Sequence, residues 1–590
     1  MSYSPVMEEQ TPFLRHSCED SSSSSSSSQP SRSSLGKDDI QLGDITTKHN
    51  EDNPLQVIAQ IPQSFSYSDL DEESEGPLSP NLKIPQSSSY SDLDEESQGP
   101  LSQILNKSKR SRITALVRST GRGLLIILVT FIPSFLRPSE PKKLYPTSYL
   151  DGLRGFAAFF VYIFHFIPLW YPDVLRGFGS TPADYYIVQL PIIRVFYAGP
   201  SMVSTFFVIS GYVLSYRSLQ QMRNADFLAV LGTLSSSMLR RGLRLFLPTI
   251  PVTFVSMLLI RAELYGPNIV RYPERTHTFW EQLLHWYRSV LAMTNPFQNI
   301  DGFAISFPAY NGHLWTIPVE FRGSAIIFLT MLAFAKLRSV VRIPLMVFIV
   351  YYSLWLARRW DLFLFLSGIL LADLNILRLD LRITWTEIDV FSQAMNGFSP
   401  KPIIKFIGRH KNKFLHFISI SLAIIALYLL STPVDKPAQG IGFATIVAST
   451  PISYSMDSIA VLRFWGSIGA VLLVIALSLS PAPNPPLYPD GTIRFPLLQR
   501  PFVTPLGQYL GNISFSLYIV HFVVFCLFGL KRLTEAGEME KSKYTLYFCY
   551  AFVVNTGIAI WVADLVWRLV DVQSVKFSRW LEMKCIVKDL

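Results

Sequence analysis

Charge is scarce in this sequence. Asp, Glu, Lys and Arg make up 16% of its 590 residues, where an ordinary soluble domain carries about 25%. Cysteine is rarer still: Cys18, Cys526, Cys549 and Cys585 show neither metal-ligand spacing nor the pattern of a disulfide framework. Cys526 and Cys549 sit inside apolar runs, where a thiol behaves as a small hydrophobe. Neither a GxxxxGK[ST] loop nor a GxGxxG turn is present, so nucleotide hydrolysis and dinucleotide chemistry are not expected. The histidines include no H-x-x-x-H pair and no carboxylate partner at ligand spacing, so no metal is expected either. Met1–Ser21 lacks the apolar core of a signal peptide, and targeting is expected to come from a later span.

Apolar residues, by contrast, fill 49% of the chain and aromatic ones 13%. A mean hydropathy of +0.29 understates this, because the first hundred or so residues are strongly polar. Residues 1–115 read as a disordered cytoplasmic tail: Ser21–Ser28 is unbroken serine, and such composition cannot offset its conformational entropy by burial. The tail holds a tandem duplication, IPQSFSYSDLDEESEGPLS from Ile61 and IPQSSSYSDLDEESQGPLS from Ile84. Two copies without a hydrophobic face make no solenoid. They read as a drifting linker, or as serines whose phosphorylation regulates the tail or protein partners that the sequence does not identify. Residues 116–143 follow as a basic and interfacial segment, in which LLIILVTFIPSFL (124–136) is too short to span and is read as an interfacial or re-entrant helix.

From residue 144 to 575 the chain reads as an all-α, polytopic bundle of about ten spans, with a short cytoplasmic tail at 576–590. The spans fall at roughly 152–171, 198–216, 243–261, 313–335, 343–359, 361–378, 413–431, 463–480, 506–530 and 545–570. The runs are continuously apolar, which indicates helices and not a barrel. The net charge of +9 lies in short basic clusters between spans (217–244, 336–342, 378–413, 576–588). That placement speaks for membrane orientation and against nucleic acid, and it puts both termini on the cytoplasmic side of an endomembrane such as the endoplasmic reticulum.

The first span, LDGLRGFAAFFVYIFHF, carries Arg154 and His165 in otherwise apolar sequence. Eleven helical residues make three turns and about 20°, so the two share a face about 16 Å apart. An arginine at the boundary can pair with phosphate, and an interior imidazole, if neutral, can accept a hydroxyl proton. A long donor with a phosphate head, such as coenzyme A, suits that spacing. Intramembrane ionisable residues are costly if idle, and the competing structural reading of His165 is a hydrogen-bonded bridge between helices.

This opening resembles acyltransferase family 3, the membrane O-acyltransferases, whose arginine, ten residues, histidine pattern falls on Arg154 and His165. Further blocks resemble the family in order: FFVISGY (206–212), RRGLRLFLP (240–248), NGHLWTIPVEF (311–321) and, more loosely, FLFLSGILLA (363–372) and ISFSLYIVHF (513–522). Together they cover about residues 145–570. Two departures stand out: no soluble hydrolase-like domain is expected after the last span, and the family's closing glutamate-proline reads Val570-Asp571-Val572. The resemblance, which is closest to fungal members, implies transfer of an acyl group, acetyl foremost, from acyl-CoA to a hydroxyl of a small acceptor such as a secondary metabolite. On the motif positions it implies His165 and Glu320 as catalytic. It implies donor contacts from Arg154, Arg240, Arg241, Arg244, Ser210 and Gly211, and an acceptor site at His313 and Trp315.

The same residues read independently leave alternatives open. Arg240 and Arg244 share a helix face that can hold phosphates, yet such clusters also fix topology. His313 and Glu320, seven apart, share a face; Glu320 could orient His165 or an acceptor hydroxyl, or simply pair with Arg322. Pro318 between them would free backbone carbonyls. Ser210 and Gly211 permit close approach of a ligand or of another helix. Tyr518 and His521 read as structural. A transporter would also use many spans and intramembrane charge, but it usually shows repeated halves, and no second arginine–histidine or RxxR block occurs. A scaffold built around the tail would leave His165 and Glu320 unexplained.

Overall fold

The computed structural model describes residues 130–137, 143–297, 308–394, 402–483, 488, 491–537 and 539–585, and side chains are described outside 379–411 and Lys541. The expected tail, with its duplication, lies outside the described residues. So does most of the 116–143 segment.

Helices build the described chain, and no strand occurs among its described residues. We label them α1 (Ser148–Trp170), α2 (Gly199–Arg223), α3 (Phe227–Phe246), α4 (Thr249–Arg261), α5 (Phe279–Thr294), α6 (Thr316–Phe334), α7 (Ser339–Tyr351) and α8 (Trp360–Ala394). There follow α9 (Pro402–Leu430), α10 (Ser458–Leu479), α11 (Pro505–Val524), α12 (Leu530–Gly537), α13 (Lys541–Val566) and α14 (Val572–Cys585). Local sequence sets several starts. The Asp226 and Asp457 carboxylates accept from the backbone N–H of Ala229 and Ala460, and Thr504 caps α11 ahead of Pro505 at its first position. Thr278 and Glu281 form a reciprocal capping box on α5.

Among the described residues, nine helical stretches are long and apolar enough to cross a membrane. They match the expected spans except one. The span expected at 198–216 is present as α2, but it is not apolar enough to count with the others. The physical reason lies in its surroundings: α2 packs against α1, α3, α6, α8 and α10, so it has little lipid to face. It can therefore carry buried Ser201, Ser204, Thr205, Ser215 and Ser218. The Ser215 hydroxyl donates to the carbonyl of Gly211 at 2.8 Å, satisfying itself within the helix. The other departure is the expected short tail at 576–590. Chain there continues as α14 to Cys585 and packs against α3, leaving 586–590 outside the described residues.

Two ends of the bundle can be told apart by their contacts. At one end the connections after α1 and α9 bond to each other: Val434 N–H donates to Leu175 O at 3.2 Å and Ile441 N–H to Phe178 O at 2.8 Å. Buried Arg194 donates to Ser431 O at 3.0 Å. The other end gathers arginines and carboxylates from α1, α3 and α14. The described part of the amino-terminal segment docks on α13 and the turn after it. There Trp561 donates to Phe131 O at 2.8 Å, Arg568 to Thr130 O at 2.9 Å, and Ser134 N–H to the Asp564 carboxylate at 3.1 Å.

Candidate active site

α1 and α11 pack closely along their length. Gly155 makes this possible: a Cβ there would lie 2.4 Å from Gly511 N and 2.5 Å from the Leu510 carbonyl carbon. Only hydrogen fits. The helices run parallel, because Arg154 meets Gly511 and Ser514 while His165, three turns on, meets His521. Arg154 Nε donates to Ser514 Oγ at 3.0 Å and a terminal nitrogen to Gly511 O at 3.2 Å, with Asp151 at 3.7 Å. The face shared by Arg154 and His165, expected from their spacing, is therefore the face pressed on α11.

Deeper in, three imidazoles converge from three segments. His165 of α1 is half-buried. His521 of α11 and His313, on the turn Gly312–Trp315 before α6, are buried. Ring centroids lie 5.2 Å apart for His165–His521, 4.5 Å for His313–His521 and 6.2 Å for His165–His313. The turn carrying His313 is pinned by α11, since the Tyr518 hydroxyl donates to the His313 carbonyl and stands 2.6 Å from Thr316 Oγ1. Pro318 falls in the first turn of α6, where its missing N–H costs nothing, so the break lies just before it. His521 Nδ1 lies 3.1 Å from Leu517 O. Among the described residues, both ring nitrogens of His313 and Nε2 of His521 have no hydrogen-bond partner, nor does either side-chain polar atom of Asn311. Buried polar atoms without partners are rare and call for an explanation.

Between this cluster and the arginine-rich end sits Glu320. Its carboxylate receives Arg241 at 2.5 Å and Ser210 Oγ at 3.1 Å, and Arg241 Nε donates to Ser324 Oγ at 3.0 Å. The alternative partner Arg322 instead binds Asp361 at 3.0 Å, which Arg359 also contacts at 2.7 Å. Glu320 is one helical turn from Thr316, so α6 carries a polar stripe from the arginines to the histidines. Arg240 pairs with Glu582 of α14 at 3.1 Å. Asp571, in the π-turn Trp567–Asp571, lies within electrostatic range of Arg244 and Arg154.

Of the residues singled out in the sequence, the structure therefore brings His165 to His313, Arg241 and Ser210 to Glu320, and Arg154 and Arg244 to one end. Gly211 goes elsewhere: a Cβ on it would lie 2.1 Å from Phe365 O, and Gly368 approaches it from α8. Its smallness serves the packing of α2 on α8. Trp315 turns toward Trp360, with centroids 6.5 Å apart. Tyr518 and His521, which read as structural in the sequence, stand beside His165 and His313. A signal existed: Ser514, Tyr518 and His521 stand at i, i+4 and i+7, one polar stripe on an apolar helix. Asp571 and Glu582 carried no local signal. Among the described residues no group of His, Cys, Asp or Glu is arranged to hold a metal ion.

A family model described as an acyltransferase domain matches residues 147–564. The O-acetyltransferase PaAT-1 of Phomopsis amygdali is 29% identical over 470 residues, 76% of this chain and 87% of that protein. The acyltransferase clz18 of Cochliobolus lunatus is 24% identical over 65% of this chain and 83% of its own length. The acyltransferase R4 of a Phoma species is 23% identical over 70% and 91%, respectively. No solved structure matches the chain.

Proposed function

The chain belongs to the acyltransferase-domain family, and from that premise we propose that it moves an acyl group, acetyl foremost, from acyl-CoA to a hydroxyl of a small organic acceptor. The observation that carries this reading is the pairing of α1 with α11. It holds an arginine at a cationic end of the bundle and, about 16 Å deeper on the same face, a half-buried imidazole among two others. Acyl transfer from a thioester needs these two things and little more: an anchor for a phosphate-rich donor and a base at the thioester.

Arg154 and Arg244 would hold the donor's phosphates, joined by Arg240 once it exchanges Glu582 for phosphate. Arg241 is committed to Glu320. We assign that pair to fixing α3 against α6, so that the arginine end keeps its register with the histidines. His165 takes the acceptor's proton as the new C–O bond forms and the C–S bond breaks, and the departing thiolate then receives that proton. The net change is alcohol plus thioester to ester plus free coenzyme A. The name of PaAT-1 supports acetyl as the group and oxygen as the acceptor atom. All three relatives are named from fungi, and a hydroxylated secondary metabolite is the acceptor class we favour. The enzyme would work as a multi-pass protein of an endomembrane, with both termini cytoplasmic.

The test uses membranes containing the full chain, acetyl-CoA and a panel of hydroxylated terpenoids and polyketides. Coenzyme A release and ester formation, followed by mass spectrometry, should both depend on one class of alcohol. Alcohol uptake into vesicles without any ester would overturn the proposal.

A further inference from the structure

His521 stands outside the mechanism just given, and its geometry is the most constrained of the three imidazoles. It is 1% exposed, at the centre of the bundle. Its Nδ1 lies 3.1 Å from the carbonyl oxygen of Leu517, one turn back on the same helix. A carbonyl can only accept, so Nδ1 carries the hydrogen, and Nε2 is left as a bare lone pair. That nitrogen has no hydrogen-bond partner among the described residues. The aromatic rings around it are His165, His313, Tyr518 and Tyr162, at 4.5 to 6.4 Å between centroids. The Tyr518 hydroxyl donates to the His313 carbonyl, and the Tyr162 hydroxyl is engaged with Thr556 and Asn555, at 2.8 and 3.1 Å. Among these rings, the groups that can satisfy the Nε2 lone pair are the ring N–H groups of the other two histidines.

We propose that His521 is a positioning residue for His165: its Nε2 accepts the one ring N–H of His165, so that the other His165 nitrogen presents its lone pair to the acceptor hydroxyl. A centroid separation of 5.2 Å with planes 31° apart leaves a small side-chain rotation between the present arrangement and that hydrogen bond. The helix pair explains why this partner is available. Gly155 and Gly511 hold α1 and α11 in register, Arg154 and Ser514 lock one end, and about three turns on in α1 and about two in α11 the two histidines meet. When His165 takes the acceptor's proton, the resulting imidazolium donates to a neutral imidazole. This is a base held by a third group, here without a carboxylate. No further reactant is required, because the proton leaves with the thiolate of coenzyme A.

The proposal rests on His165 acting as the base, so both are tested together on the purified full chain. The substrates are acetyl-CoA and the alcohol giving most ester in the screen above. His521→Phe keeps the ring volume and removes the acceptor; His521→Gln keeps an acceptor oxygen. The phenylalanine form should lose roughly 10- to 100-fold in kcat, the size found for partners that orient a functional histidine. Its KM for acetyl-CoA should stay within about twofold, because no donor contact is removed. The glutamine form should recover a large part of the loss. A phenylalanine form with kcat within about twofold of the parent would overturn the proposal. So would a glutamine form no better than phenylalanine at equal melting temperature. His165→Ala is measured alongside: an active alanine form removes the base itself. An inactive one together with a normal His521→Phe removes only the positioning role.

Discussion

Gly155→Ala adds one methyl group to a helix, and in an unpacked helix that change stabilises by about 0.5–1 kcal/mol. Here the sign should reverse. The new Cβ would stand 2.4 Å from Gly511 N, 2.5 Å from the Leu510 carbonyl carbon and 2.8 Å from Leu510 Cβ. The first two are backbone and cannot swing aside, so α1 and α11 must separate by on the order of 1 Å to regain ordinary contact near 3.5–4.0 Å. Overpacking of this kind costs about 1–3 kcal/mol. The functional cost should be larger than the thermal one. Arg154 loses its 3.0 Å bond to Ser514 and the His165–His521 pair opens, and a misplacement of about 1 Å near reacting groups can cost about 10²-fold. The assay is kcat and melting temperature of the purified protein beside Gly557→Ala on α13, where nothing lies within 4 Å of the added Cβ. Gly557→Ala should be neutral or slightly stabilising. A Gly155→Ala protein with normal turnover and raised melting temperature would refute the reasoning.

Glu582→Gln should free Arg240 of its 3.1 Å partner and lower the KM for acyl-CoA. A partly exposed pair is worth about 0.2–1 kcal/mol, so the change should be at most about fivefold, read by donor titration. An unchanged or raised KM would remove Arg240 from donor binding. In the loop after α1, burial pushes the Asp184 carboxyl up, and Arg176 with Thr181 and Gln189 more than reverses this, holding it at about 2. A carboxyl held below its unfolded value of about 3.9 contributes stability above that pH and loses it as pH falls toward 2. Proteolytic protection of residues 173–190 should therefore be flat from pH 7 to about 4 and fall below that, while Asp184→Asn should be less protected throughout. A tag between Gln439 and Met456 should report the non-cytoplasmic side and one after Leu590 the cytoplasmic side. Both tags on one side would contradict the orientation.

The span pattern was legible because lipid imposes it. About twenty apolar residues are needed wherever a helix faces hydrocarbon, and the positions of α1, α4, α6 to α11 and α13 follow directly. α2 was also found, although it fails the same apolar test in the folded chain, because a helix enclosed by five others answers to packing and not to lipid. The Arg154–His165 face was legible from helical geometry alone. Partnerships across helices were not: Glu320 could as well have met Arg322, and only the fold of α3 onto α6 decides for Arg241. Gly211 shows the same limit, since a small residue permits close approach without saying by what, and here Gly368 makes it. The proximity of His521 to His313 and His165 was not legible, because they lie 208 and 356 residues away in sequence. The carboxylates Asp571 and Glu582 gain their meaning only from the return of the chain's end to α3.

In the proposed reaction Arg154 binds the donor and His165 handles the proton, and one set of steady-state kinetics tests this division of roles. Acetyl-CoA is varied at fixed acceptor for the parent, Arg154→Ala, His165→Ala and His165→Gln, each matched for melting temperature. An interaction present in ground and transition states alike affects KM, whereas one made only during bond formation affects kcat. The account predicts a raised KM with kcat nearly kept for Arg154→Ala. For both His165 variants it predicts a kcat lowered by about 10²–10⁴-fold with donor KM little changed. Near-normal turnover in His165→Gln would contradict it, by showing that hydrogen bonding at this position suffices and that the base lies elsewhere.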